Sequence, residues 1–146
     1  MPSLPLSSTI MISQADMLRM RRDVSQRAPE EACGLLSGQI EAGIYRVAAV
    51  IPATNELHSP VRYRIDPHEQ IAAFNQIDAQ GLELVGIYHS HPAGPAGPSP
   101  TDIAEAFYPQ AVYLIWSAST GEWHCSASLI QDGQVIPVKF SVYKPE

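Results

Sequence analysis

Cysteine is scarce: Cys33 and Cys125 are the only two in 146 residues. Two thiols build no disulfide framework in a chain of this size. They read as buried free thiols, with a nucleophilic Cys33, close in sequence to Glu31, as the minority alternative. Long apolar runs are missing too; none approaches the ~20 residues of a membrane-crossing helix. Met1 to Ile12 carries no basic leader, so no secretory signal is expected and the cytoplasm is the expected compartment. Lys and Arg are absent from Ile65 to Val138, where Asp66, Glu69, Asp78, Glu83, Asp102, Glu105, Glu122 and Asp132 all lie. With a formal net charge of −6, the chain lacks the basic surface that nucleic acid requires. The acidic half is either a plain solvated surface or a field favouring a basic peptide segment. Several catalytic signatures are also missing: His-Glu-x-x-His, Gly-x-Ser-x-Gly and the Pro-Cys-x-x-Cys of zinc deaminases. The length falls short of the ~250 residues of an amidohydrolase-type barrel.

What remains is a hydrophobic fraction of 45%, ordinary for a globular protein. One domain is expected over residues 1–146, with 1–8, which holds Pro2 and Pro5, as a flexible lead-in. A short strand over Thr9 to Ile12 precedes a helix from about Gln14 to Arg27, capped by Ser13 with Asp16 as a partial capping box. Met11, Ala15, Leu18 and Val24 are read as the apolar side of that helix. Strands over 32–39 and 44–53 make a hairpin around Glu41-Ala42-Gly43. Residues 55–60 are a loop, and Val61 to Ile65 alternates like a strand. Asp66-Pro67-His68-Glu69 starts a helix that Gly81 ends. A short helix over 100–108 and strands over 111–117, 123–130 and 135–142 complete an α+β chain with a mixed, curved sheet.

The chemistry concentrates where the apolar run Leu82 to Tyr88 meets His89-Ser90-His91-Pro92. On a strand, residues i and i+2 share a face, so His89 and His91 project together and Ser90 points away. Ser99-Pro100-Thr101-Asp102 follows a Pro/Gly loop, and Asp102 can close the set if the chain turns back there. Two imidazoles and a carboxylate leave a fourth tetrahedral position open, which is the catalytic zinc pattern; no thiolate stands beside the pair to make a closed structural site. Taken singly, the pair is equally two polar residues at a strand end, and the second segment is a capping box; a carboxylate held in a first helical turn still suits a ligand. The Pro92 to Pro98 loop is either a mobile flap or a rigid connector. His58, His68 and His124 read as surface or packing residues without a function.

These segments resemble the JAMM/MPN+ (Mov34/MPN/PAD-1) zinc metalloproteases, and prokaryotic-type members in particular. Their pattern is an early Glu, then His-x-His-Pro, about seven residues, then Ser-x-x-Asp. Here it falls on Glu31, His89-Ser90-His91-Pro92, the seven residues 92–98 counted from that Pro, and Ser99 to Asp102. Glu30 to Gly38 is similar to the family's Glu-x-x-Gly-x-x-x-Gly block, and the likeness extends roughly from Ile10 to Val142. The resemblance implies a cytidine-deaminase-like MPN fold, a curved mixed sheet flanked by helices. It implies one Zn2+ per chain, with a bound water, on His89, His91 and Asp102. Glu31 is then the general base, with Glu30 as the neighbour to test, and Ser99 stabilises the tetrahedral intermediate. The implied activity is hydrolysis of the peptide or isopeptide bond after the C-terminal Gly-Gly of ubiquitin, a ubiquitin-like protein or a sulfur carrier. Short later loops fit a compact enzyme without linkage selectivity. A silent scaffold for protein partners and a zinc hydrolase of small amides are the alternatives; neither nucleic acid nor membrane is implied, and a homo-oligomer is left open.

Overall fold

The structure, a computed structural model, describes residues 7–144. The strands are β1 (Thr9–Ser13), β2 (Cys33–Glu41), β3 (Ile44–Ala53), β4 (Glu83–His91), β5 (Val112–Ser117), β6 (His124–Gln131), β7 (Gln134–Pro137) and β8 (Lys139–Tyr143); the helices are α1 (Gln14–Arg27), α2 (Pro67–Ala79) and α3 (Pro100–Ala104). All eight strands join one sheet in the order β7-β6-β5-β4-β2-β3-β1-β8. Pairs β1–β3, β1–β8 and β4–β5 are parallel and the others antiparallel, so the sheet is mixed as expected. Of the expected lead-in, residues 1–6 lie outside the described residues; the Ser8 carbonyl accepts from Lys139 N at 3.0 Å.

The helix starts follow local chemistry. Ser13 caps α1, its hydroxyl accepting from Asp16 N at 3.1 Å. Asp66 caps α2 through bonds from His68 N and Glu69 N, with Pro67 at the first position. Gly81 follows α2 at φ +70°, a conformation costly for any residue with a Cβ. The buried side of α1 is Met20 and Val24, one turn apart, with Met17 packed against them. Leu18 is 50% exposed and Met11 belongs to β1, which corrects the reading of that helix's apolar side.

The helices cover different parts of the sheet. The core that includes α1's Met20 and Val24 takes in Ile10, Leu36, Tyr88, Leu114 and Trp116; the other includes Leu35, Ala73, Ile87 and Tyr113. Strand β4 re-phases between them. Leu36 pairs with Gly86 while Ser37 pairs with Leu84, so Val85 is an extra residue. That bulge turns Val85 to the α1 side and leaves Ile87 and His89 on the other.

Three expectations need correction. Val61 to Ile65 is no strand; only an isolated bridge joins Asn55 to Ile65. Side-chain bonds from Asn55 satisfy this segment in place of a ladder. The short helix stops at Ala104: it packs against the second core only through half-buried Ile103, and so short a helix depends on packing for its stability. The strand expected over 135–142 is two strands at opposite ends of the sheet order. Val138 N donates to Ala127 O of β6, and Lys139 N to Ser8 O before β1. The sheet curls until its two edges meet at buried Val138.

Candidate metal centre

Strand β4 lies between β2 and β5, and its last residues pair with the start of β2 and the end of β5. His89 and His91 sit there almost without solvent contact, at 1% and 5% exposure. Ser90 faces the other way, as strand alternation requires. Its Oγ accepts from Ala32 N at 2.8 Å, and its N–H donates to Ala32 O at 3.0 Å. This ties the histidine strand to the peptide that follows Glu31.

The two imidazoles converge on Asp102. The Nε2 atoms of His89 and His91 are 3.1 Å apart. Asp102 Oδ1 lies 3.2 Å from His89 Nε2, and Oδ2 lies 3.1 Å from His91 Nε2. The carboxylate is aimed by a capping box: Ser99 Oγ accepts from Asp102 N at 3.1 Å, and Ser99 N donates to Asp102 Oδ2 at 2.9 Å. Ser99 thus has a structural task at this site, and its hydroxyl proton is still free to donate.

The donor atoms fit a metal. His91 Nδ1 lies 2.8 Å from the carbonyl of Pro95. A carbonyl only accepts, so Nδ1 carries a proton; Nε2, 3.1 Å from Asp102 Oδ2, donates to that carboxylate when the ring is protonated and offers a lone pair to a metal when it is neutral. Three electron-rich atoms this close repel unless a cation, a proton or a metal, lies among them. Tetrahedral zinc with bonds of 2.0–2.1 Å would set donors about 3.3 Å apart, near the spacing here. Neither Asp102 nor His91 keeps an ordinary affinity for protons. Burial raises Asp102, but the contacts with His89 and His91 outweigh it and hold the carboxyl well below the usual range. Burial lowers His91, but Asp102 and Pro95 more than reverse that. Burial dominates at His89 and lowers it. The His89 ring stacks on Tyr63, with centroids 4.3 Å apart and planes at 21°, while its buried Nδ1 has no hydrogen-bond partner.

Glu31 completes the cluster. It is 4% exposed, and ligand atoms of Glu31, His89 and His91 lie within 4.8 Å of one another. Burial pushes its carboxyl up to about 7, with His91 opposing and Asp102 adding to the shift. Glu30 turns elsewhere: its Oε1 is 3.4 Å from His58 Nδ1, and it lines a separate depression with Arg27 and Thr54. Of the two neighbouring glutamates, Glu31 is the one beside the histidines. A cavity of about 170 Å³ opens here between Pro60, Val61, Gly94 and Ser99, with Glu31 and His91 on its wall.

The Pro/Gly loop is tied to the sheet by two side-chain bonds. Ser117 Oγ donates to Gly94 O at 3.0 Å and Ser126 Oγ to Ala96 O at 2.8 Å, so β5 and β6 both hold it. Cys33 is buried, and burial pushes its thiol up to about 12, which leaves it protonated and without nucleophilic character. His58, His68 and His124 are exposed, away from the cluster. No local sequence pattern marks Tyr63 for its stacking role or Asn55 for its buried-amide role.

Known proteins agree with this architecture. The family described as prokaryotic homologs of the JAB domain matches residues 13–127. A desampylase of Haloferax volcanii is 41% identical over 90 residues, 61% of this chain and 63% of that protein, so the chain spans just under two thirds of that relative's length. A probable TtuB-protein conjugate cleaving protease of Thermus thermophilus is 38% identical over 117 residues, 80% of this chain and 72% of that one. The solution structure of a Desulfitobacterium hafniense protein superposes with a TM-score of 0.84 at 34% identity, covering 93% of this chain and 94% of that chain. The curled mixed sheet, the buried histidine pair at the end of β4 and the match over 13–127 together place the chain in the prokaryotic JAB domain family.

Proposed function

We propose that the chain is a zinc-dependent protease that hydrolyses the peptide or isopeptide bond after a C-terminal Gly-Gly of a ubiquitin-like or sulfur-carrier protein. The observation that carries this reading is the convergence of His89 Nε2, His91 Nε2 and Asp102 within 3.1–3.2 Å, with buried Glu31 alongside. Relatives named as a desampylase and a conjugate-cleaving protease support it.

In this reading His89, His91 and Asp102 hold the ion. Zinc bound there supplies Lewis acidity and brings the pKa of a coordinated water to about 7. Glu31 accepts the proton of the attacking water and passes it to the departing amine, so each turnover consumes one water and releases a carboxylate and an amine. Glu31, buried beside the two histidines, is placed to take that proton and to return it. Ser99 Oγ, fixed by the capping box, directs its free proton toward the developing oxyanion. The small cavity beside Glu31, walled by Pro60 and Val61, suits a backbone without side chains, which is what Gly-Gly offers. The whole of 1–146 is taken as one catalytic domain. Two unpaired cysteines accord with a reducing cytoplasm, and no helix among the described residues is long and apolar enough to cross a membrane.

Intact-mass analysis of ubiquitin-like protein–Gly-Gly–peptide fusions tests the reading. Zinc-loaded protein is expected to cut after the second Gly, and a chelator to abolish the cut. Uncut fusions in protein shown to hold zinc would overturn it.

A further inference from the structure

Glu31 precedes β2, so the sheet ladder does not hold it. Its backbone is held by the loop that follows β3. Glu31 N donates to Ser59 O at 2.9 Å, and Glu31 O accepts from Asn55 Nδ2 at 3.0 Å. Asn55 is completely buried, and both halves of its amide are engaged. Nδ2 also donates to Arg62 O at 2.9 Å, and Oδ1 accepts from Leu57 N and Arg64 N, each at 3.1 Å. A side chain that only stapled its own loop would need the last three bonds. The bond to Glu31 reaches outside the loop, across 24 positions of sequence. The same loop carries Tyr63 onto the face of His89.

We propose that Asn55 is a positioning residue for the protease reaction: one buried amide fixes the peptide of Glu31 and the loop that seats Tyr63 on His89, and so sets where the Glu31 carboxylate stands relative to the histidines. This rests on the reading of Glu31 as general base. The ligands His89, His91 and Asp102 stand on β4 and α3, which Asn55 does not touch. Loss of the amide therefore acts on the base directly and on the ligands only through the Tyr63 ring stacked on His89, and small misplacement of a catalytic group costs about 10- to 100-fold in rate.

The test compares wild type, N55A, E31Q and the N55A/E31Q double variant as zinc-loaded full chains, using the Gly-Gly fusion that the wild type cuts. N55A is expected to bind one zinc per chain, to lose about 10- to 100-fold in kcat, and to keep KM within about threefold. Its Glu31 amide should exchange hydrogen at least about tenfold faster, while the amides of β4 stay protected. In the E31Q background the same substitution should change the residual kcat less than about twofold, because the two residues act through one step. Wild-type kcat in N55A, or an equal loss in both backgrounds, would overturn the proposal. If N55A does not fold, N55S, whose hydroxyl is too short to bridge both carbonyls, is held to the same criteria. A fully active E31Q removes the base reading and this proposal with it. An inactive E31Q beside a fully active N55A removes the proposal alone.

Discussion

The two faces of β4 treat polar atoms in opposite ways. On the α1 side, Tyr88 donates its hydroxyl to Asp23 Oδ2 at 2.7 Å, and Ser90 Oγ takes the amide of Ala32 at 2.8 Å. Both are fully buried and both are satisfied. On the opposite side, equally buried, His89 keeps an unpartnered Nδ1, its Nε2 stands against two other donor atoms, and Glu31 is held in a place that disfavours its charge. Buried polar groups are normally paired, and each unpaired one costs about 1–3 kcal/mol. One strand therefore carries hydrogen-bonded polar groups on one face and a cluster of titratable groups around one unpartnered imidazole nitrogen on the other. The relief a bound cation would bring is the physical content of the metal-site reading.

The largest expected effect lies on the histidine face. His89→Ala or Asp102→Ala should lose zinc on dialysis and lower Gly-Gly cleavage by a factor on the order of 10³ or more. Full metal retention in either variant, measured by elemental analysis, would remove that residue from the ligand set.

Stability of the metal-free protein sharpens the contrast. The Glu31 carboxyl is raised from 4.5 to about 7. Below about pH 4 it is protonated in both folded and unfolded chains and costs nothing. As pH rises, the unfolded chain ionises first, so stability is lost between about 4.5 and 7 and the penalty is complete above 7, on the order of 3 kcal/mol at most. Glu31→Gln should therefore stabilise chelator-treated protein at pH 8 and leave it nearly unchanged at pH 4. Urea melts at both pH values check this; equal effects would mean that Glu31 is not a buried, charge-averse acid.

A smaller effect belongs to the satisfied face. Tyr88→Phe removes the bond to Asp23 and should cost about 1–2 kcal/mol in urea melts, while kcat per folded molecule stays within about twofold. A large loss of kcat with unchanged stability would erase the division between the faces. The smallest effect concerns the acidic half of the chain. If it steers a basic substrate tail, kcat/KM should fall a few-fold between about 10 and 150 mM salt, where the screening length shortens from about 30 to 8 Å; a flat response leaves only a solvated surface.

Much of this was legible in the sequence because the signals are local. Asp66-Pro67 starts α2 where expected, His-x-His shares a face because strand alternation has period two, and Ser99 with Asp102 closes a capping box within four residues. What escaped is set by distance. Asn55 earns its role from partners up to 24 positions away, and Tyr63 meets His89 across the fold. The alternation of Val61 to Ile65 suggested a strand, but its backbone groups turn to Asn55 instead. The run 135–142 reads as continuous, yet curling of the whole sheet assigns its two halves to opposite edges, which no local period encodes.

The central claim is that Glu31 moves the proton while three other residues hold the metal. Zinc content and Gly-Gly cleavage measured together in Glu31→Gln test it most directly. One zinc per chain with cleavage reduced by a factor on the order of 10³ supports the division of labour. Near-wild-type cleavage by zinc-bound Glu31→Gln contradicts it, and Glu30→Gln, inactive under the same conditions, would then shift the base by one residue.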